Sequence, residues 1–162
     1  TSYRSTPAIT DLFASLLPAG EAMEVSSVQR EAPAPEIVVC GSDEQWRAAL
    51  ARAVDEAARA GGLTAVVVPW KSEARRLAKL LADTVPAAVL LGEGDSLPAE
   101  GVVIVPLKLA KGLEFDRVII PDASARTFPA NDLARRRLYT AISRATRHLT
   151  MLSAGPLTEL LG

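Results

Sequence analysis

The sequence predicts an α/β fold in which a mainly parallel sheet carries helices on both faces. Short apolar runs alternate with amphipathic helical repeats, an order that is typical of a parallel sheet. The run Ala65–Val68 is continuously apolar, as expected for a strand covered on both faces. A chain of 162 residues, 49% of them apolar, can bury one core. We therefore expect residues 1–162 to form a single three-layer domain.

The first third of the chain predicts one helix and two strands. Thr6 and Pro7 match the N-cap and first position of a helix, and the apolar residues of Ile9–Leu17 lie on one of its faces. An edge strand is expected within Glu21–Pro35, where apolar and polar residues alternate imperfectly. A strand is predicted at Glu36–Cys40, and the single cysteine, Cys40, is expected to be one of its buried residues. One cysteine cannot form an internal disulfide or a metal cluster.

The central part of the chain predicts two amphipathic helices and three short strands. Ser42 followed by Gln45 forms a capping box for the first helix, and Gly61-Gly62 ends it. Ser72 is the predicted N-cap of the second helix. The apolar stripes contain Trp46, Leu50 and Val54 in the first helix and Leu77, Leu80 and Leu81 in the second. The strands are predicted at Ala87–Leu91, Val102–Val105 and Val118–Ile120.

Charge and hydropathy limit the partners of this chain. The net charge is -1, so nucleic acid contact would have to come from a local basic patch. No apolar run approaches the roughly 20 residues needed to cross a bilayer, and the first residues do not resemble a signal peptide. We therefore expect a cytoplasmic location without membrane contact. His148 has no ligand-type residue at metal-binding spacing, so no metal site is predicted.

The segment Pro106–Asp116 carries the first candidate site. Loops that leave the carboxyl ends of parallel strands form the ligand crevice of such sheets, and this segment follows a predicted strand. Its residues Lys111, Gly112 and Glu114 combine a cation, a flexible backbone unit and a carboxylate, which suits phosphate and sugar hydroxyl contacts. A solvated surface turn is the alternative for an isolated motif of this kind.

An arginine-rich helix carries the second candidate site. Arg137 and Arg144 are two helical turns apart, so they share a face if the helix continues between them. Arginine suits a developing phosphoryl charge because its planar fork stays protonated and binds oxygens bidentately. A solvated basic helix is the alternative.

Three sequence elements resemble those of one enzyme family. KGLEFDRVII resembles motif V of superfamily 1 helicases of the UvrD type, LYTAISRATRHLTML resembles their motif VI, and YRST at Tyr3–Thr6 resembles the element that opens their second motor domain. The resemblance implies a RecA-like 2A domain that shares ATP and Mg²⁺ with a preceding 1A domain. It implies that Tyr3 stacks on adenine, that Arg4 and Arg144 reach the γ-phosphate, and that Glu114 binds the ribose. Outside this context, Tyr3 is an ordinary tyrosine and Arg4 a surface cation.

Departures from the typical pattern favour one subgroup. The region Val105–Leu109 lacks the threonine and histidine with which typical UvrD enzymes touch a single strand. Only residues 82–107 separate the predicted second helix from Lys108, which is too short for their 2B subdomain. Both features resemble the HelD group, ATPases that bind RNA polymerase. A translocating, ATP-dependent DNA helicase of the RecD or helicase IV type and a non-catalytic protein-binding module remain alternatives.

One motif is missing from the sequence. No G-x-x-x-x-G-K-[ST] phosphate loop occurs, so we expect this chain to be a C-terminal fragment that does not hydrolyse ATP alone. Trp70 and Lys71 follow a predicted strand, so they are candidates to line a nucleic acid or nucleotide crevice. Packing against the next helix is the alternative for Trp70. Lys108 is a weaker candidate for phosphate contact.

Overall fold

The computed structural model describes residues 35–82, 88–90 and 97–161. The strands are β1 (Glu36–Val39), β2 (Leu63–Val68), β3 (Ala88–Leu90), β4 (Gly101–Pro106), β5 (Phe115–Ile120) and β6 (Ala145–Ser153). The helices are α1 (Asp43–Ala60), α2 (Lys71–Leu81), α3 (Leu107–Ala110) and α4 (Asp132–Ile142), followed by a 3₁₀ turn at Glu159–Leu161. The six strands form one sheet in the order β1-β6-β5-β2-β4-β3. All their pairings are parallel, which confirms the predicted sheet.

Strand β2 lies at the centre of a three-layer core. All six of its residues are buried. Val66 and Val68 contact the apolar cluster that contains the inner faces of α1 and α2. Ala65 and Val67 belong to the opposite cluster, which contains the inner face of α4. Because successive side chains of a strand point to opposite faces, a continuous apolar run is what this central position requires.

Helix α1 begins and ends as the sequence predicts. The Ser42 Oγ accepts a hydrogen bond from the Gln45 backbone N–H at 3.1 Å. The Gln45 side chain accepts from the Gly41 N–H at 2.8 Å, one residue earlier than in the usual capping box. Gly61 follows the last turn with a φ of 83°, a conformation that glycine adopts without a steric penalty. The predicted stripe, Trp46, Leu50 and Val54, is buried.

Two predicted helix boundaries are wrong. Ser72 lies inside α2, because Trp70 has extended backbone angles and its carbonyl oxygen already accepts from the Ala74 N–H at 3.1 Å. Helix α4 ends at Ile142, so Arg144 does not share a helical face with Arg137. The backbone of Arg144 instead bonds to strand β5, because its carbonyl oxygen accepts from the Phe115 N–H at 2.8 Å.

Some predictions fall outside the described residues. These are the helix from Thr6, the strand within Glu21–Pro35, and the candidate residues Tyr3 and Arg4. Within the described ranges, no helix is long and apolar enough to span a bilayer. In the same ranges, no cluster of three or more His, Cys, Asp or Glu residues is placed to hold a metal ion.

Candidate functional site

The candidate loop crosses from one edge of the sheet to the other. Strands β4 and β5 are both parallel to β2, so their carboxyl ends lie at the same edge, here called the carboxyl edge. The segment leaves β4 at that edge after Pro106 but reaches the opposite, amino edge at Glu114, immediately before β5. The expectation that the whole segment lines the carboxyl-edge crevice is therefore wrong for Glu114. The parallel direction of β5 requires this crossing.

A short helix and a glycine turn make the crossing. After α3, the Leu113 N–H donates to the Ala110 carbonyl oxygen at 3.0 Å. Gly112 has a φ of 80° and open space around its Cα, a backbone conformation that most other residues avoid. Lys111, Gly112 and Glu114 are exposed, whereas Phe115 is buried and fixes the end of the turn.

Arg144 contacts both neighbours of Glu114. Its Nη1 donates to the Leu113 carbonyl oxygen at 3.1 Å, and its own carbonyl oxygen accepts from the Phe115 N–H at 2.8 Å. The turn Lys111–Glu114 and Arg144 are distant in sequence but therefore form one structural unit at the amino edge, here called the amino-edge unit. This unit connects the exposed residue Glu114 and the half-buried residue Arg144 through the backbone of Leu113 and Phe115.

Ser143 supplies the second contact to the Arg144 guanidinium. The Arg144 Nη2 donates to the Ser143 Oγ at 3.0 Å, and that hydroxyl donates to the Thr140 carbonyl oxygen at 2.8 Å. The Nε of Arg144 is buried and has no hydrogen-bond partner in the described part of the chain. Apart from the position of Ser143 next to an arginine, no sequence pattern indicates these contacts.

A separate polar cavity lies at the carboxyl edge. It has a volume of about 690 Å³ and is lined by residues that include Trp70, Arg76, Asp122 and Arg126. Trp70 is 48% exposed, which favours the crevice over close packing on α2. The Glu73 carboxylate, hydrogen-bonded to Arg76, raises the pKa of Arg76 and keeps it charged. Arg144 does not line this cavity.

Comparisons with known proteins agree with this architecture. The family profile of the UvrD-like helicase C-terminal domain matches residues 101–152. The solved C-terminal domain of a possible DNA helicase from Lactobacillus plantarum WCFS1 is 32% identical to this chain, with a TM-score of 0.79. The match covers 100% of this chain and 93% of that one. The chain belongs to the UvrD-like helicase C-terminal domain family. No curated protein matches the chain significantly.

The matched segment of this UvrD-like domain contains both halves of the amino-edge unit. Residues 101–152 begin with β4 and include Glu114 and Arg144. Of the predicted site residues, the fold brings Glu114 next to Arg144 in the backbone framework, with Lys111 and Gly112 in the same turn. Lys108 is exposed on α3, and Tyr3 and Arg4 lie outside the described residues.

Proposed function

We propose that this UvrD-like domain is the second motor domain, 2A, of a larger ATPase and completes an ATP site at the interface with a preceding 1A domain. Arg144 and Arg4 contact the γ-phosphate, Tyr3 stacks on the adenine, and Glu114 binds the ribose beside Lys111 and Gly112. The observation that carries the proposal is the pair of hydrogen bonds by which Arg144 holds the residues on either side of Glu114.

The chemistry of the amino-edge unit fits a nucleotide. A guanidinium has five N–H donors, and Arg144 uses one each for Leu113 and Ser143. Glu114 presents an exposed carboxylate, the acceptor that a sugar hydroxyl needs. ATP with Mg²⁺ would supply the phosphoryl group, and arginines stabilise the charge that spreads over its oxygens. The exposure of Lys111, Gly112 and Glu114 also fits a site that a second domain closes.

The missing phosphate loop defines the partner domain. A loop of the G-x-x-x-x-G-K-[ST] type holds phosphates and orients the magnesium ligand, and the sequence of this chain contains none. We assign that loop to the 1A domain, so that turnover requires both domains. Closure over the nucleotide then brings Arg144 to its target and couples hydrolysis to domain movement.

The buried leucine at the start of α3 favours the HelD-like role over DNA tracking. In the region where typical UvrD enzymes use threonine and histidine on a single strand, Leu107 is 7% exposed and belongs to the apolar core. A side chain in the core does not offer a polar group to a DNA backbone. We therefore propose RNA polymerase as the macromolecular partner, with ATP hydrolysis driving its release from nucleic acid.

One observation favours the second candidate function, an ATP-dependent DNA helicase that binds single-stranded DNA. Trp70 is 48% exposed beside the carboxyl-edge cavity that Arg126 also lines. An exposed aromatic ring next to a cation can stack a base and contact a phosphate. Salt-dependent binding of single-stranded DNA by the full-length protein, lost in Trp70→Ala, supports the helicase. Binding to RNA polymerase that is unchanged in Trp70→Ala supports the first proposal.

The ATP site is tested by Arg144→Ala in the full-length protein. Removing an arginine that stabilises phosphoryl charge costs on the order of 10³ in ATP turnover. The matched control is Arg147→Ala, because Arg147 follows three residues later in β6, its side chain is 78% exposed, and its ion pair with Asp116 is long, at 3.9 Å. Equal, measurable turnover in Arg144→Ala and the wild type would overturn the role of Arg144 at the ATP site, whereas no turnover in the wild type would leave a non-catalytic protein-binding module as the function.

A further inference from the structure

Ser143, the residue before Arg144, connects helix α4 to the Arg144 guanidinium through two hydrogen bonds. Ser143 is the C-cap of α4, and its Oγ donates to the Thr140 carbonyl oxygen at 2.8 Å. The same oxygen accepts from the Arg144 Nη2 at 3.0 Å. A hydroxyl has one donor and two acceptor lone pairs, so both bonds can exist together.

We propose that Ser143 is a positioning residue for Arg144. Its hydroxyl and the Leu113 carbonyl oxygen hold the guanidinium from two sides, so that the remaining N–H groups point in a fixed direction. The inference rests on the proposed function, because it assigns Ser143 a role only through Arg144 and the γ-phosphate.

The position of Arg144 explains why a second anchor matters. The guanidinium hydrogen bonds in the described part of the chain go to Leu113 and Ser143, and the buried Nε has no partner there. Long side chains lose considerable rotamer freedom when they are held in one orientation. Without the Ser143 hydroxyl, the Leu113 carbonyl oxygen alone would have to select that orientation. A small displacement of a catalytic group reduces the rate by up to about 100-fold.

A purely structural role of Ser143 makes a different prediction. If the hydroxyl serves only to finish α4, its removal should resemble the loss of any similar hydroxyl-to-backbone bond in that helix. Thr140 offers a matched control, because its Oγ1 donates to the Arg136 carbonyl oxygen at 2.9 Å. Thr140→Ala removes a bond of the same kind, one turn earlier on α4.

The experiment uses the full-length protein with Ser143→Ala, Ser143→Thr, Thr140→Ala and Arg144→Ala. For Ser143→Ala we expect kcat to fall on the order of 10- to 100-fold with little change in KM. Ser143→Thr keeps the hydroxyl and should retain activity near that of the wild type, as should Thr140→Ala. Thermal unfolding of all variants shows whether the hydroxyl acts through stability.

Nucleotide binding provides a readout that does not depend on turnover. Ser143→Ala should bind ADP like the wild type but should bind ADP with beryllium fluoride, a γ-phosphate mimic, more weakly. If Arg144→Ala loses turnover while Ser143→Ala keeps both turnover and tight binding of the mimic, the positioning role is overturned alone. If Arg144→Ala itself keeps full turnover, the proposed function fails and the role of Ser143 with it.

Discussion

The Nη1 of Arg144 donates a hydrogen bond to the carbonyl oxygen of Leu113 at 3.1 Å, across 31 positions of the sequence. The backbone of Arg144 returns the contact by accepting from the Phe115 N–H at 2.8 Å. Glu114 therefore projects from a short backbone segment that is tied to Arg144 at both of its ends. Movement of the Leu113–Phe115 backbone relative to Arg144 therefore requires breaking these bonds.

Because of this geometry, we expect lysine to replace Arg144 poorly in ATP turnover. A lysine ammonium keeps the charge, but it is a point charge that lacks the planar fork with which Arg144 binds Leu113 and Ser143 together. We expect ATP turnover of the full-length Arg144→Lys protein to fall by at least about 100-fold, close to the alanine variant. Steady-state kinetics measure the effect, with Arg147→Lys as the control that keeps wild-type rates. Near-normal turnover of Arg144→Lys would show that charge alone is sufficient.

The sheet and its core were predictable because buried positions appear in the sequence as apolar residues with the period of the strand or helix. The apolar run at Ala65–Val68 marks a strand covered on both faces, and the stripe of Trp46, Leu50 and Val54 marks the inner face of α1. Such patterns depend on neighbouring residues within one element. They identify elements well, but they do not show which edge of the sheet a loop end reaches.

The two errors in helix boundaries have different origins. Ser72 is a good N-cap by type, yet α2 begins at Lys71 and the extended residue Trp70 is its N-cap. Arg144 continues a helical repeat in the sequence, yet pairing with Phe115 ends the helix and starts β6. The contact between Arg144 and Leu113 could not be read from local patterns, because it depends on the order of strands in the sheet.

The two tryptophans are expected to differ strongly in their contribution to stability. Trp46 is 2% exposed, and its Nε1 donates to the Pro121 carbonyl oxygen at 2.6 Å. Trp46→Phe leaves that carbonyl oxygen without this donor and removes buried volume, so it should cost about 2–4 kcal/mol of unfolding free energy. Trp70→Phe, at an exposed position, should change it by less than about 0.5 kcal/mol. Urea denaturation of both variants measures this difference in unfolding free energy. Equal midpoints would contradict the assignment of Trp46 to the core.

Gly62 is expected to tolerate alanine less well than its neighbour Gly61. Both have a φ near 80°, but an alanine Cβ at Gly62 would lie 2.8 Å from the Asp116 Oδ2, whereas Gly61 has open space. That carboxylate oxygen accepts from the Leu63 N–H at 2.9 Å. Gly62→Ala should therefore destabilise the fold by about 1–3 kcal/mol more than Gly61→Ala, because it displaces this acceptor. In an Asp116→Ala background the difference should shrink, and an unchanged difference in urea denaturation would exclude this mechanism.

His148 should make stability depend on pH. Its side chain is 23% exposed, with the Nε2 3.8 Å from the Glu36 Oε1. Burial lowers the pKa of His148, Arg117 lowers it further, and Glu36 opposes both without outweighing them. The unfolded chain, with an ordinary histidine pKa of about 6.5, then binds a proton more readily than the folded one.

The sign of the effect follows from this difference in proton binding. Above the unfolded pKa both states are neutral and the contribution of His148 to stability is complete. As pH falls from about 6.5 towards the lower folded pKa, the unfolded state gains the proton first, so stability decreases. We expect the urea midpoint to fall between about pH 7 and pH 5.5, and His148→Gln to flatten this slope. Glu36→Gln removes the opposing attraction and should lower the folded pKa of His148 further, so that the loss of stability extends to lower pH. A slope that is identical in the wild type and in His148→Gln would assign the pH dependence to other groups.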